Sequence, residues 1–507
     1  MTESTPKVYL VGAGPGRADL ITLRGAELIK CADCIIYDRL VNPDLLTLAK
    51  ADAEIIHTPK RTGPTSVAQG LINELMVEKA LDGKTVIRLK GGDPCVFGRG
   101  AEEARILAAA GIEFEIVPGV TAAVAAAEYS GIMLTDRAYS SQVTFITGHE
   151  AEGKSESAID WHLLAKFNGS IVFYMGMTNL GFIAKQLIEN GMSADTPAAA
   201  IQNATLPIQR KLCATVGTIA AECEKQQIEP PAIIVIGTAA KADNSLDWFG
   251  RLPLFGQTIV TTRDKKGNAD FAAKIIAQGG NPIKFDSIKI KPFTDKSEFL
   301  KTLTRLSEYH WVIFTSANGV NIFFDCLQIL NKDARVFAHA KVAAVGPNTA
   351  AALKRHAIIP DFVPTIFTRE QLGKQLIAAA ELKGKAVCLL CSQEATDQLK
   401  QILAVAGASV DQTSVYSVET QKCDCARIKD LLDVGRIDWL TFASPSAAES
   451  FFEQIDPGAV KSAKTRIASI GPVTGARLKD IGLTVHTEAA EHTIDGVIEA
   501  IKIYSRI

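Results

Sequence analysis

Glycines at 12, 14 and 16 follow an apolar run in VYLVGAGPG, the first place where residue types and spacing in this chain suit chemistry. A dinucleotide-binding turn spaces its glycines G-x-G-x-x-G and rests a pyrophosphate on the next helix N-terminus. Here the spacing is G-x-G-P-G. Pro15 offers no backbone N–H and fixes its own φ near −65°, which suits a stiff loop more than a phosphate cradle. Asp38 closes CIIYD about 26 residues after Gly12, where a dinucleotide domain would hold ribose hydroxyls. Such a domain has no need of the second glycine turn, RLKGGDPCVFGRG, with Gly91, Gly92 and Asp93 in its bend. It also has no need of VPGVTAAVAAAEY, where a strand ends at Gly119 and a helix of small residues opens at Thr121. Small residues there let a ligand come close to backbone.

The elements that must position these residues alternate from end to end. Apolar runs of strand length (VYLVG, CIIYD, TVIRL, FEIVPG, QVTFITG, SIVFYMG, AIIVIG, then TIVTTR, WVIFTS, KVAAVG, AVCLLC, WLTFAS, RIASIG) are separated by amphipathic stretches. This pattern predicts α/β architecture with mainly parallel sheets, whose strand ends carry the ligand-facing loops. The stretch Ala239–Gly256 has neither periodicity and marks the main boundary. Beyond it the chain repeats. WVIFTSANGVNIFF (Trp311–Phe324) returns as WLTFASPSAAESFF (Trp439–Phe452) at an offset of 128, and VGPNTAAALK (Val345–Lys354) as IGPVTGARLK (Ile470–Lys479) at an offset of 125. Gly256–Ile290 also falls on Gly384–Val418 in apolar register. A period of this size duplicates a whole lobe, not a solenoid repeat.

At 507 residues the chain exceeds the size of a single core, so two to four domains are expected. A net charge of −2 removes the electrostatic argument for nucleic acid or an anionic membrane as partner. The start, MTESTPK, lacks a signal-like pattern and no apolar run is long enough to span a bilayer, so a cytoplasmic protein is expected. Ten cysteines include the pairs Cys31/Cys34 and Cys388/Cys391, but neither has a matching His or Cys pair downstream, and no metal is expected. Cys423 and Cys425 lie in a polar stretch with nothing visible to activate them.

VGAGPG, YDRL, RLKGGDP.VFGRG.EE, VPG.TAA.A...YSGI.LT.R and YMG together resemble uroporphyrinogen-III C-methyltransferase, of the tetrapyrrole methylase superfamily, from about Lys7 to Gly237. The resemblance implies two α/β subdomains, about 1–137 and 138–242, with S-adenosylmethionine folded in the cleft between them. Pro15 would line that cleft, and Gly91, Gly92 and Asp93 would contact the cofactor through backbone and carboxylate. Val96, Thr121 and Ala122 would follow along it, with Met175 and Ala204 completing the site from the second subdomain. Asp38 and Lys60 stand where the family's proton acceptor and donor stand, and binding a substrate carboxylate is an equal reading for Lys60. Arg39, Arg61, Arg99 and Arg137 are further candidates for clamping substrate carboxylates, because Arg forks match them in pairs. The family further implies a homodimer through this half.

IVTTR, WVIFTSANGV, AVGPNTAAAL, VYSVE, FASPSAAESF and SIGPVTGARL resemble uroporphyrinogen-III synthase over about Leu254–Ile501. The expected architecture is thus a tetrapyrrole methylase fold (1–242), a linker (243–253), and a two-lobed α/β synthase (254–507) with parallel sheets and a two-stranded hinge. One lobe would be 254–290 plus 419–507, the other 291–418. By resemblance, Tyr416 would assist departure of the substrate hydroxyl. Arg263, Ser316, Thr349, Ser444 and Thr474 would bind a polycarboxylate at strand ends, and helix N-capping competes for each Ser and Thr. Cys391 departs from the family, which often carries an Arg after that strand, although Arg263 remains in the other lobe. The implied activity is bifunctional. Hydroxymethylbilane is cyclised to uroporphyrinogen III with inversion of ring D, and this product is methylated at C2 and C7. The alternatives are a synthase-like half that only holds substrate, and a nicotinamide-dependent dehydrogenase in the first half. No dehydrogenase or ferrochelatase segment precedes Lys7, so precorrin-2 is the expected end product, feeding sirohaem or cobalamin.

Overall fold

The computed structural model describes residues 7–58, 65–138, 140–149, 159–241, 243–294, 297–423 and 425–505. Its contacts divide the chain into two units, Met1–Gly256 and Gln257–Ile507. In the first unit, β1 (Lys7–Gly12), β2 (Cys34–Tyr37), β3 (Glu54–His57), β4 (Val86–Lys90) and β5 (Glu113–Val117) form a wholly parallel sheet in the order β3-β2-β4-β1-β5. Helices α1 (Leu23–Cys31), α2 (Thr65–Leu81) and α3 (Gly100–Ala109) make the crossovers. The central strands are apolar on both faces because both are covered. Val11, Ile35, Ile87 and Leu89 pack with Ile29 of α1, while Val8, Leu10, Ile36 and Val86 pack with Met76 of α2 and Leu107 of α3.

Helix α4 (Ala122–Tyr129) joins this layer to a second sheet. Ala123, Ala126 and Ala127 bury against Val172, Tyr174, Ala199, Ile201 and Val235, and only small side chains let a helix lie that close. The second sheet contains β6 (Val143–Thr147), β7 (Ser170–Tyr174), β8 (Pro197–Gln202), β9 (Arg210–Thr215) and β10 (Ala232–Ile236) in the order β6-β7-β10-β8-β9. Only β6–β7 is parallel; the other three pairings are antiparallel. The short turn between Gln202 and Arg210 cannot hold the crossover of a dozen or more residues that parallel neighbours require, so β8 and β9 pair as a hairpin. The fold class is α/β with parallel-rich sheets, and this one sheet departs from the alternating pattern.

Residues 243–253, read above as a linker, fold against the first unit. Trp248 Nε1 donates to the Glu128 carbonyl (3.1 Å), Lys211 pairs with Asp247 (2.9 Å), and the Tyr129 ring meets Trp248 and Phe249 at 4.9 Å. A stretch without periodicity can still dock through two aromatic residues.

The second unit runs through β11 (Thr258–Thr262), β12 (Asn281–Phe285), β13 (Ile288–Pro292), β14 (Trp311–Phe314), β15 (Lys341–Ala344), β16 (Ala386–Ser392), β17 (Ser409–Thr420), β18 (Trp439–Phe442), β19 (Arg466–Ser469) and β20 (Thr487–Glu488). They segregate into sheets β12-β11-β18-β19-β20 and β13-β17-β16-β14-β15. The chain therefore leaves the first of these sheets after two strands and returns for the last three. Both passages run together. β13 pairs antiparallel with β17 from Ile288 opposite Thr420 to Pro292 opposite Tyr416, and every other pairing in the unit is parallel. The crossings fall at 286–287 and 421, a few residues outside the expected points near Ile290 and Val418, because residues 288–290 and 418–420 are already in this ladder. Helices α5 (Lys265–Ala277), α6 (Ala317–Ile329), α7 (Pro347–Arg355), α8 (Pro445–Phe452) and α9 (Pro472–Asp480) are the ones that open on the expected ligand-facing turns.

Among the described residues no helix is long and apolar enough to cross a membrane.

Candidate active sites

The carboxyl ends of β1, β4 and β5 meet backbone to backbone. A Cβ on Gly12 would lie 2.6 Å from the Gly119 Cα and 2.7 Å from the Gly92 carbonyl oxygen. Gly14 and Gly92 exchange backbone hydrogen bonds (3.2 and 2.9 Å), both at positive φ (72° and 69°), which glycine adopts without steric cost. Asp93 knits the turns together: Oδ1 accepts from the N–H groups of Cys95 and Val96 (2.8 and 3.1 Å) and Oδ2 from Gly119 (3.0 Å). The expected contact of this carboxylate with a cofactor is thus matched by an internal role in holding the loop. Gly91 lies against Leu40 of the turn that follows Asp38.

From the second sheet, the Tyr174 hydroxyl reaches Thr121 Oγ1 (2.6 Å) and accepts from the Ala123 N–H (3.0 Å), so it takes the place of a side-chain cap on α4. Burial pushes the Tyr174 phenol above its usual range. Met175 follows at φ 52° with half of its surface exposed, and Asn203 and Thr205 stand at φ 50° and 70° on either side of Ala204. Left-handed non-glycine residues of this kind collect at functional loops. Val96, Ala122 and Ala204 all pack at the rim of the cluster that buries Tyr174. The structure gathers Gly92, Asp93, Thr121 and Ala122 around Gly119, sets Val96, Ala122 and Ala204 at the rim of the Tyr174 cluster, and ties Pro15 to Thr205, while Gly91 and Met175 follow as chain neighbours of Gly92 and Tyr174. Gly12 and Gly119 carry no side chain because the turns pack on each other backbone to backbone.

Asp38 stands at the end of β2 with Oδ1 2.5 Å from Arg88 Nη2 and 3.4 Å from the Thr58 hydroxyl. Arg88 is buried and also meets the fully buried Glu103 (3.1 Å), whose Oε1 takes two further donors, Lys90 (2.8 Å) and Gln69 (3.0 Å). Glu103 Oε2 has no hydrogen-bond partner among the described residues. Burial, with Arg88 beside it, holds the Lys90 ammonium below its usual range. Lys60 and Arg61 lie outside the described residues. Arg99 pairs with Glu102 (2.7 Å), and Arg39 and Arg137 are exposed.

In the second unit, Ser316 caps α6 by accepting from the Gly319 N–H (3.0 Å), and Ser444 caps α8 by accepting from Ala447 (3.1 Å). Tyr416, only 6 % exposed, donates to Ser316 Oγ at 2.9 Å, and burial raises its phenol pKa. Thr349 and Thr474 are buried inside the first turns of α7 and α9, so their hydroxyls do not face solvent; the exposed members of those turns are Pro347 and Asn348, and Pro472 and Val473. Of the four hydroxyls, those of Ser316 and Ser444 serve as helix caps and those of Thr349 and Thr474 are buried. Arg263 is half-buried, with its carbonyl accepting from Asn268 (3.2 Å). Cys391 is buried, its thiol pointing to the Thr413 carbonyl (3.8 Å) and pushed up to about 11 by burial. It fills space as an apolar residue would.

Residues 7–220 match the family of tetrapyrrole (corrin/porphyrin) methylases, and residues 269–499 match uroporphyrinogen-III synthase HemD. A porphyrin biosynthesis protein HemD of Ruminiclostridium josui is 39 % identical over 97 % of this chain and 97 % of its own length. The chain belongs to both families, one in each half. Its first half is 48 % identical to an S-adenosyl-L-methionine-dependent uroporphyrinogen III methyltransferase of Methanosarcina barkeri, over 47 % of this chain and 93 % of that one. It is 50 % identical to a uroporphyrinogen-III C-methyltransferase of Priestia megaterium, over 46 % and 97 %. The methylase half is thus one of S-adenosylmethionine-dependent enzymes.

Within the methylase half, sequence reading missed Tyr174, Arg88, Glu103 and Thr205. Tyr174, Arg88 and Glu103 sat inside quoted motifs (YMG, RLKGGDP, GRG.EE) and Thr205 next to Ala204, but only packing shows which side chain the neighbouring element meets. Within the HemD half, the Tyr416–Ser316 bond joins residues 100 positions apart, for which no local pattern exists.

Proposed function

We propose that the chain carries out two consecutive steps of tetrapyrrole biosynthesis: closure of hydroxymethylbilane to uroporphyrinogen III with ring D inverted, then methylation at C2 and C7 to give precorrin-2. The observation that carries this reading is the presence, in one chain, of a HemD half and a half resembling uroporphyrinogen III methyltransferases. The product of one reaction is the substrate of the other. The domains are taken as 1–242 and 254–507, and the enzyme as a cytoplasmic homodimer through its methylase half.

S-adenosylmethionine, when bound, supplies an electrophilic methyl to an already electron-rich pyrrole carbon. The chain's own part is alignment, which contributes roughly 7 to 11 kcal/mol in favourable systems. Gly91, Gly92 and Asp93 would hold the donor, with Pro15 lining the cleft and Met175 and Ala204 completing it from the second sheet. Asp38, partly exposed and held by Arg88, takes the proton that leaves the macrocycle. Lys60 is assigned to proton donation or carboxylate binding. In the HemD half, Tyr416 assists loss of the terminal hydroxyl while the capped turns at Ser316 and Ser444 and the side chain of Arg263 bind carboxylates.

A coupled assay from hydroxymethylbilane tests this, run with and without S-adenosylmethionine and with isomer analysis of the product. Uroporphyrinogen III without the donor and dimethylated product with it support the reading; only the symmetrical isomer in the absence of donor removes the synthase step. Buried Cys391, where the family often has Arg, favours a second reading in which the HemD half binds substrate but turns it over weakly. The same assay separates the two by rate.

A further inference from the structure

Thr205 lies between the two walls of the methylase cleft and is fully buried. Its Oγ1 donates to the Pro15 carbonyl at 2.8 Å and accepts from the Arg17 N–H at 3.1 Å, bridging residues 190 and 188 positions away. The bridge leaves no room beside it, since a Cβ on Gly16 would run into the Thr205 hydroxyl and the Ala204 carbonyl. Thr205 adopts φ 70°, a conformation that a β-branched residue resists and glycine adopts freely. What threonine adds there over glycine is the hydroxyl and the methyl, and the hydroxyl is used twice. Its backbone N–H is fixed as well, donating to Gln209 Oε1 (2.8 Å), while Gln209 Nε2 donates to the Tyr129 carbonyl at the end of α4 (2.9 Å). On the other side, Asn42 Nδ2 donates to the Gly16 carbonyl (2.8 Å) from the turn that follows Asp38.

We propose that Thr205 is a positioning residue that latches the Gly14–Gly16 turn to the 203–205 turn and so sets the separation of Pro15 from Ala204, the two walls that hold the methyl donor. This rests on the reading of the cleft as the S-adenosylmethionine site. The latch works through the hydroxyl, because both of its partners are backbone groups of the opposite wall. Loss of the hydroxyl leaves the Pro15 carbonyl and the Arg17 N–H without that partner, and the turn is free to shift. The chain through Gly16 and Asn42 carries the same constraint to the Asp38 turn, so donor and proton acceptor are held in one register.

The test is calorimetric titration of the full chain with S-adenosylhomocysteine, together with steady-state methylation, for Thr205→Val, Thr205→Ser and Thr205→Gly. Valine keeps the shape and loses the hydroxyl; serine keeps the hydroxyl. Glycine loses the hydroxyl but accepts the positive φ, so it supplies the comparison where valine does not fold. We expect the hydroxyl-free variants to bind at least about tenfold more weakly and to raise the KM for the methyl donor by a similar factor, with the KM for uroporphyrinogen III near that of the wild type. Serine should bind within about threefold of wild type. Wild-type affinity in the valine or glycine variant overturns the latch, as does a serine variant as weak as either of them. A wild-type chain that does not bind S-adenosylhomocysteine fails the reading of the cleft itself, a result distinct from unchanged affinity in the variants.

Discussion

Single side chains in the methylase half divide into those that shape the cleft and those that act in it. Asp93 uses both carboxylate oxygens on backbone N–H groups of its own loop and of Gly119. Asp93→Ala should therefore raise the dissociation constant of S-adenosylhomocysteine by about tenfold or more, since at least one charge-assisted bond worth roughly 1.5–3 kcal/mol is lost. Asp38→Ala should leave that constant unchanged and slow methylation, because its contacts are with Arg88 and Thr58 and not with the glycine turns. Calorimetry alongside turnover measurements checks both, and unchanged methylation in both variants would remove this site from contention. Arg88 belongs to the second group at one remove. Arg88→Met frees Asp38 while Glu103 keeps Lys90 as counter-charge at 2.8 Å, so the fold persists. The expected outcome is a kcat about ten- to a hundredfold lower, part of what a positioned base contributes, at an unchanged cofactor affinity. A loss of affinity without loss of kcat would place Arg88 in the cleft wall instead.

At the scale of elements, the duplicated turns of the HemD half are alike in capping and unlike in what leans on the cap. Ser316 and Ser444 each cap a helix, but only Ser316 also accepts the buried Tyr416 hydroxyl. Ser444→Ala should cost about 1 kcal/mol in a urea unfolding series, the usual worth of an N-cap. Ser316→Ala should cost that plus roughly 1–3 kcal/mol for the stranded phenol. Equal costs would show that the Tyr416 hydroxyl finds another partner. Tyr416 sits where β17 passes from pairing with β16 to pairing with β13, so its ring is anchored by the core while its hydroxyl reaches the α6 cap. Tyr416→Phe should lower synthase turnover and shift product toward the symmetrical isomer, with methylation of supplied uroporphyrinogen III intact. A variant that makes only the asymmetrical isomer at full rate would remove the role assigned to this tyrosine.

For the whole molecule, the two halves are two compact units with separate cores. Exposed Leu71, Leu81 and Phe182 leave apolar side chains on the surface of the methylase half. Self-association through that half is the expected state. Light scattering at working concentration should return twice the mass of one chain; a monomer would contradict it.

Alternation of apolar runs with amphipathic stretches, the repeat at offsets of 128 and 125, and the motifs around three glycine turns were all legible in the amino-acid order. They are local properties. Strand and helix periods are written within a dozen residues, and a duplicated lobe copies its own pattern. The antiparallel bias of the second methylase sheet was less visible, because it depends on the seven residues between Gln202 and Arg210 being too few for a crossover. The docking of 243–253 was hidden for a similar reason, since Trp248 and Phe249 show nothing of the Tyr129 ring that they meet. Only the tertiary structure decided that Asp38 shares Arg88 with a buried glutamate, that Tyr174 and not Thr121 serves the start of α4, and that Thr205 closes on Pro15. Each of these joins residues far apart in the chain through side-chain direction, which is set by packing of one layer on another, and a linear pattern does not record it.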